Sequence, residues 1–416
     1  MPYYAATNGD IAALLVGILS IVVLIVLSTI LINSNIKENS IKKILFLMLF
    51  IQIIIACIDN YITIFPLMGF DARAFESLAW FSYENNVNVG RGAYNYYILN
   101  PLYKIIKVRS AITIEVLNIL LNLLTNLNIY SILKNLKIKK QLLVLLIFIV
   151  ALSPISLIYR TGVLRESIII MFISYSLKSF ITFMLSKKNN IEALKSFIYI
   201  GLGAIFHSGV IFITTGYLIA LLSGKKNQKI FQYLILILGA IGFILFKDTL
   251  LEKVGGGDID TIIAANNYTS LKMAGSGYLQ SITTTSLGQI VAYLPLFMFY
   301  FLYSPTPDMF RGILDIVSFI LNSSIYLYFT FYGFYLYKKV KNQLTLTEKK
   351  IIKYLFISII FTVAVFSVGT RNAGTAMRHR DKIVPLLIVI FAIIKNRAIL
   401  LREKNIWEKN QLEYFK

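Results

Sequence analysis

A chain of 416 residues that is 57% hydrophobic and only 15% charged is not a soluble globular domain, which carries about 25% charged residues. The net charge of +21 does not point to nucleic acid, because the cations fall in short clusters between apolar runs and form no single basic face. One cysteine, Cys57, and two histidines exclude a disulfide framework and fall short of a metal-ligand set. No Walker loop or dinucleotide fingerprint is present, so neither cofactor nor metal is expected.

Apolar runs long enough to cross a hydrocarbon core occupy 11–32, 41–58, 111–133, 141–159, 167–185, 230–246, 313–337, 351–370 and 383–400. Their length excludes a β-barrel, whose strands would be about 10 residues long and alternating. The opening "MPYYAATNGD" has no basic stretch, so the first run is expected to be an anchor and not a cleaved signal. The run 195–223 would make a helix of about 43 Å, rather long for one span. Two short helices turning near "FHSG" at 206–209 fit better. The expected fold is all-α: a polytopic integral membrane protein of about 11 transmembrane helices, forming a single transmembrane domain over 1–416.

Lysine clusters at 134–140, 187–188, 225–229 and 338–350 belong on the cytoplasmic side by the positive-inside bias. The N-terminus then lies outside and the C-terminus inside. Residues 59–110 become a first large external loop and 247–312 a second, with 288–303 re-entrant. Two short external turns follow, at 159–167 and 371–382.

Several cations break that bias. Arg73, Arg91, Arg109, Arg160, Arg165, Arg371, Arg378 and Arg380 fall outside, and they are mainly arginine where the inside clusters are lysine. A guanidinium grips two oxygens of a phosphate or carboxylate at once, which an ammonium does not. An anionic ligand at the outer face is therefore expected. In "GTRNAGTAMRHRDK", a continuous helix would put Arg371 and Arg378 on one face, with Asp381 three residues from Arg378 and able to orient it. In "YRTGVLRES", Arg165 and Glu166 are adjacent and do not face each other on a helix. Either Arg165 is free for a ligand, or the pair is a charged helix cap with Glu166 in the first turn of 167–185. In "GFDARAFESLAWF", Asp71 is either a general base or the N-cap of a helix beginning near Ala72. The aromatics around it stack on sugar rings or form an interfacial belt. His207, inside the membrane, is a functional candidate by position.

The many spans, the two long external loops, "GFDARAF", "LRES", "FHSG" and "GTAMRHRDK" together resemble bacterial polysaccharide repeat-unit polymerases. These are the O-antigen and capsule polymerases, with related exopolysaccharide membrane proteins and, more distantly, ligases. The resemblance implies a GT-C-like architecture in the bacterial inner membrane and a substrate of undecaprenyl-pyrophosphate-linked oligosaccharide. It further implies glycosyl transfer at the periplasmic face, with a flippase and a chain-length regulator as partners. Some members carry an arginine followed eleven positions later by glycine; none of the external arginines here does. On this resemblance Arg371, Arg378 and Arg380 hold the pyrophosphate, Arg73, Arg160, Arg165 and His207 are further substrate contacts, and Asp71 or His379 is the base. The alternatives are a lipid-linked oligosaccharide flippase, and a transferase that adds one sugar from a lipid-phosphate donor.

Overall fold

The structure, a computed structural model, describes residues 11–62, 69–87, 92–186, 190–223 and 276–414. The expected span 230–246, Arg91 and residues 247–275 of the second loop lie outside the described residues. Those described are nearly all helical, with no strand among them and one isolated backbone bridge, Gly277 to Asn372. Seven helices are long and apolar enough to cross a membrane, and three shorter apolar helices lie at Lys140–Leu152, Ser208–Leu222 and Leu287–Tyr303. The protein is a polytopic all-α membrane protein.

The described residues form two compact units. The first lies within Met1–Ser131, Val144–Tyr175 and Leu202–His207; the second within Ile132–Leu143, Ser176–Gly201 and Ser208–Lys416.

In the first unit, α1 (Ile11–Asn35) buries only a stripe of Ala13, Gly17, Leu24, Ser28 and Ile32. It leaves Ile11, Leu15, Leu19 and Val22 exposed. A helix apolar all round with one buried stripe is a span whose remaining faces meet lipid. Gly17 and Ser20 let it approach closely: a Cβ on Gly17 would press on Ile112, and Ser20 Oγ lies 3.1 Å from Thr113 Oγ1. α2 (Asn39–Cys57) continues through a wide turn at Ile58–Ile62. Within 59–110, expected as the first external loop, the chain folds into α3 (Gly69–Glu84), a wide turn at Asn95–Leu99 and α4 (Asn100–Ile106). Along α3 the buried positions Ala72, Phe75, Glu76, Ala79 and Ser82 follow helical spacing. α5 (Ala111–Asn135) is the most enclosed span, with 67% of its apolar stretch buried against 22% for α1.

The expected span 141–159 is split into α6 (Lys140–Leu152) and α7 (Pro154–Thr161). The proline ring disfavours helical backbone at the residue before it, and Ser153 has the extended ψ of 120°. α8 runs Glu166–Leu185 and α9 Asn190–Phe206. The long run beginning at 195 breaks at His207, inside the 206–209 turn that the sequence indicates, then continues as a 3₁₀ turn and α10 (Thr214–Leu222).

The second unit holds the rest. α11 (Leu287–Tyr303) is capped by Ser286, whose Oγ accepts from Gln289 N. α12 (Asp315–Val340) carries two wide turns, at Phe319–Ser323 and Tyr328–Tyr332. α13 (Leu346–Val368) opens on a capping box between Thr345 and Glu348, the "TLTE" signature in the sequence. α14 (Ala373–Arg380) and α15 (Val384–Tyr414) close the chain. α10 lies against α13 at Gly216, where a Cβ would meet the Tyr354 carbonyl and Ser358 Oγ. Ser358 Oγ of α13 also donates to the Ile213 carbonyl at 2.6 Å.

Candidate functional site

In the first unit, α5 carries Glu115, Asn118, Asn122 and Asn126, all buried, at three- and four-residue spacing down one face. Polar side chains inside a span need partners from the protein, and Asn118 and Asn122 find theirs in the turn 159–167. Asn118 Nδ2 donates to the carbonyls of Gly162 and Leu164, and Tyr94 OH donates to Asn118 Oδ1 at 3.2 Å. Arg160, fully buried, donates from Nη1 to Asn122 Oδ1 at 3.1 Å. Asn122 Nδ2 donates to Gln52 Oε1, and Gln52 Nε2 to Thr161 Oγ1, each at 3.1 Å. Asn60 Nδ2 reaches Glu115 Oε2 at 2.7 Å. The result is a hydrogen-bonded chain that fixes the backbone of the turn and the orientation of Arg160. The sequence signal for it was present, a polar stripe at helical spacing inside an apolar run, but the partners are 24 to 109 residues distant.

Arg165, a ligand candidate in the sequence, has protein contacts of its own. Its Nη1 donates to the Phe206 carbonyl at 3.0 Å, and its Cζ lies 5.9 Å from the Phe75 ring centre. Glu166 does open α8 as expected. Asp71 is not the N-cap of a helix starting near Ala72: α3 begins at Gly69, which places Asp71 within its first turn, where the helix dipole favours an acid. Arg73 is half-buried on the next turn, and His207 sits partly buried at the break after α9, its N–H donating to the Gly203 carbonyl. Glu76, also on α3, is buried. It accepts from Arg109 Nε and Nη2 at 2.9 and 2.8 Å and from Tyr103 OH at 2.7 Å. Aromatics of this region pack against one another: Phe75 edge-to-face with Tyr94, and Trp80 edge-to-face with Tyr103 and tilted against Tyr83. Tyr96 and Tyr97 are exposed.

Glu76 is 1% exposed. Glu76→Ala is expected to cost about 2–4 kcal/mol, because it strips a charge-assisted pair and leaves Arg109 and Tyr103 without their acceptor. Thermal unfolding in detergent reads this. Arg109→Leu should cost little further on that background, since coupled partners are not additive.

In the second unit, the expectation that Arg371 and Arg378 share a helical face is overturned. α13 stops at Val368 and α14 restarts at Ala373, with Asn372 as its cap accepting from Thr375 N at 3.0 Å. Residues 370–372 are held instead by the segment around Tyr278. Tyr278 N donates to the Arg371 carbonyl at 3.0 Å, Ala373 N to the Ser276 carbonyl at 2.9 Å, and Tyr278 OH to the Thr370 carbonyl at 2.6 Å. Burial raises the Tyr278 phenol well above its ordinary value, opposed by Arg380 and Arg371. Arg371 is 1% exposed, and burial pulls its proton affinity below the usual guanidinium range. Its Nη1 donates to the Ile282 carbonyl at 2.6 Å and its Cζ stands 4.6 Å from the Phe297 ring centre.

Arg380 is fully buried. Nη1 donates to the carbonyls of Leu302 and Ser304 at 2.8 and 2.6 Å, and Nη2 to Asn322 Oδ1 and Ser323 Oγ at 3.0 and 3.2 Å. The Tyr326 ring centre lies 4.8 Å away. Arg380 thus ties the end of α11 to the first wide turn of α12. Arg378 and His379 are partly buried in the last turn of α14, where cations complement the helix dipole. His379 Nδ1 is 3.5 Å from Thr370 Oγ1, and its ring is 5.3 Å from that of Phe366. The structure therefore gathers Arg371, Arg378, His379 and Arg380 in one unit; Asp71, Arg73, Arg160, Arg165 and His207 belong to the other.

Residues 83–246 match the family model described as dolichyl-phosphate-mannose-protein mannosyltransferase. No curated protein and no solved structure matches the chain. The matched stretch contains the asparagine stripe of α5, Arg160 and Arg165, and stops short of Arg371–Lys382. With the apolar spans, this match supports a membrane glycosyltransferase acting on a lipid-linked sugar.

Proposed function

We propose that this membrane glycosyltransferase polymerises undecaprenyl-pyrophosphate-linked oligosaccharide repeat units at the outer face of the bacterial cytoplasmic membrane. In this reaction an acceptor hydroxyl forms a bond to the anomeric carbon while the bond from that carbon to the pyrophosphate oxygen breaks. The hydroxyl proton passes to a base, and the electron pair leaves with the pyrophosphate, which gains negative charge. Fixed cations aimed at that leaving group lower the barrier. The observation that carries the proposal is the segment 371–382, which keeps Arg371, Arg380 and Lys382 buried within twelve residues. Arg371 and Arg378 are the phosphate contacts. Arg380, whose Nη1 and Nη2 are bound to protein acceptors, positions the segment. His379, in the same unit as these arginines, takes the proton.

The test is direct. Purified protein with lipid-linked repeat units should give a ladder of products on a gel, and Arg371→Ala should lower the rate by about 10²–10³, as loss of one preorganised donor does. An inactive wild type, or an unaffected variant, refutes the proposal. The match to mannosyltransferases favours a second reading, transfer of a single sugar from a lipid monophosphate. Offered a polyprenyl-phosphate hexose, such an enzyme would add one sugar and stop. A flippase would form no glycosidic bond with either donor.

A further inference from the structure

We infer that the Nε–Nη2 edge of Arg371 is the seat of one phosphate group of a lipid phosphate ester. A guanidinium has two faces and distinct donor edges. At Arg371 a face is taken by Phe297 at 4.6 Å, and Nη1 is taken by the Ile282 carbonyl at 2.6 Å. The remaining side-on edge, Nε with Nη2, is buried and has no acceptor among the described residues. This is the edge that presents two parallel N–H groups to two oxygens of one anion. The same chain uses it that way twice. Arg109 closes Glu76 with Nε and Nη2 at 2.9 and 2.8 Å, and Arg311 closes Asp315 with the same two atoms at 2.9 and 3.0 Å. Arg380 differs, because its Nη2 is already bound to Asn322 and Ser323.

A buried guanidinium edge left unpaired carries a desolvation cost that a planar pair of anionic oxygens would offset. The Phe297 ring holds the guanidinium plane in place, and the Tyr278 backbone N–H holds the Arg371 carbonyl. The edge is thus set by the fold before any ligand arrives. The assignment rests on the proposed function only for the identity of the phosphate's carrier.

The test uses the full chain in nanodiscs of zwitterionic lipid and reads binding by ³¹P NMR and thermal shift. Farnesyl phosphate, inorganic phosphate and phosphatidylglycerol are offered separately. Farnesyl phosphate should saturate at one per chain, and Arg371→Lys should weaken it by about tenfold or more, because an ammonium lacks the two-point edge. Arg311→Lys, at an exposed ion pair, should leave binding unchanged. Saturation by phosphatidylglycerol that farnesyl phosphate fails to displace overturns the carrier as the source, as binding of inorganic phosphate alone also would. Equal binding by wild type and Arg371→Lys overturns the seat itself. If Arg371→Lys is not recovered folded, a photoreactive alkyl phosphate on the wild type should label 276–284 or 370–373, and labelling confined elsewhere overturns the assignment. Phosphate binding that persists without sugar transfer refutes the proposed reaction and keeps the seat. Transfer that persists without phosphate binding does the reverse.

Discussion

Exchange of Gly216 for alanine is expected to leave little folded protein in detergent. A Cβ at this position would fall inside the carbonyl oxygen of Tyr354 and against Ser358 Oγ. The first obstacle is helix backbone, which does not rotate aside as a side chain would. Separating α10 from α13 would also break the bond from Ser358 Oγ to the Ile213 carbonyl. Overpacking usually costs about 1–3 kcal/mol, and a backbone collision lies at or beyond that upper end. Valine, larger and branched, should be worse. Gly201→Ala supplies the contrast: it lies within α9 with nothing inside 4 Å of its would-be Cβ. That change should be neutral or stabilise by about 0.5–1 kcal/mol, since alanine loses less backbone freedom in a helix. Size-exclusion profiles and melting curves of the pair separate steric collision from a general effect of losing glycine.

The second large effect falls on Arg380. Arg380→Leu should cost about 3–5 kcal/mol, because hydrogen bonds from a charged donor contribute more than neutral ones and their carbonyl acceptors would be left buried. The Leu302 carbonyl and the side chains of Asn322 and Ser323 would lose the guanidinium as donor, and the Ser304 carbonyl would keep only Ser323 Oγ. Arg380→Lys should recover only part, since one ammonium does not span two carbonyls and a second pair of acceptors in the same plane. Arg371→Met is expected to behave differently. It removes a buried charge with one hydrogen bond, and replacing a poorly compensated charge by an apolar side chain is often neutral or stabilising. Its stability should stay within about 1 kcal/mol of wild type while transfer is lost. Equal destabilisation by the two changes would place both arginines in the scaffold.

These two residues also mark how far the primary structure reaches. Arg371 and Arg380 stand nine apart in one cation-rich stretch, and by residue type they are equivalent. Only the packing of Tyr278, Ile282 and Phe297 around one, and of Leu302, Ser304 and Asn322 around the other, makes the first a ligand candidate and the second a clamp. The helical face expected for Arg371 and Arg378 failed for a related reason. Residues 370–372 trade helical hydrogen bonds for bonds to residues 276–278, an exchange no local pattern displays.

What the amino-acid order determined unaided is what water and lipid decide residue by residue. Apolar runs must leave water, so most expected spans recur as helices within a few residues. Pro154 must end a helix at the residue before it, and "TLTE" caps α13 with its own side chains. What only the tertiary structure decided is which partner each buried polar group takes. Glu76 meets Arg109 across 33 residues, Asn122 meets Gln52 across 70, and Arg371 meets Ile282 across 89. Inside a membrane such groups have no water to fall back on, so each must find an acceptor or donor wherever the fold brings one. That choice is made by the packing of distant helices and not by neighbours along the chain.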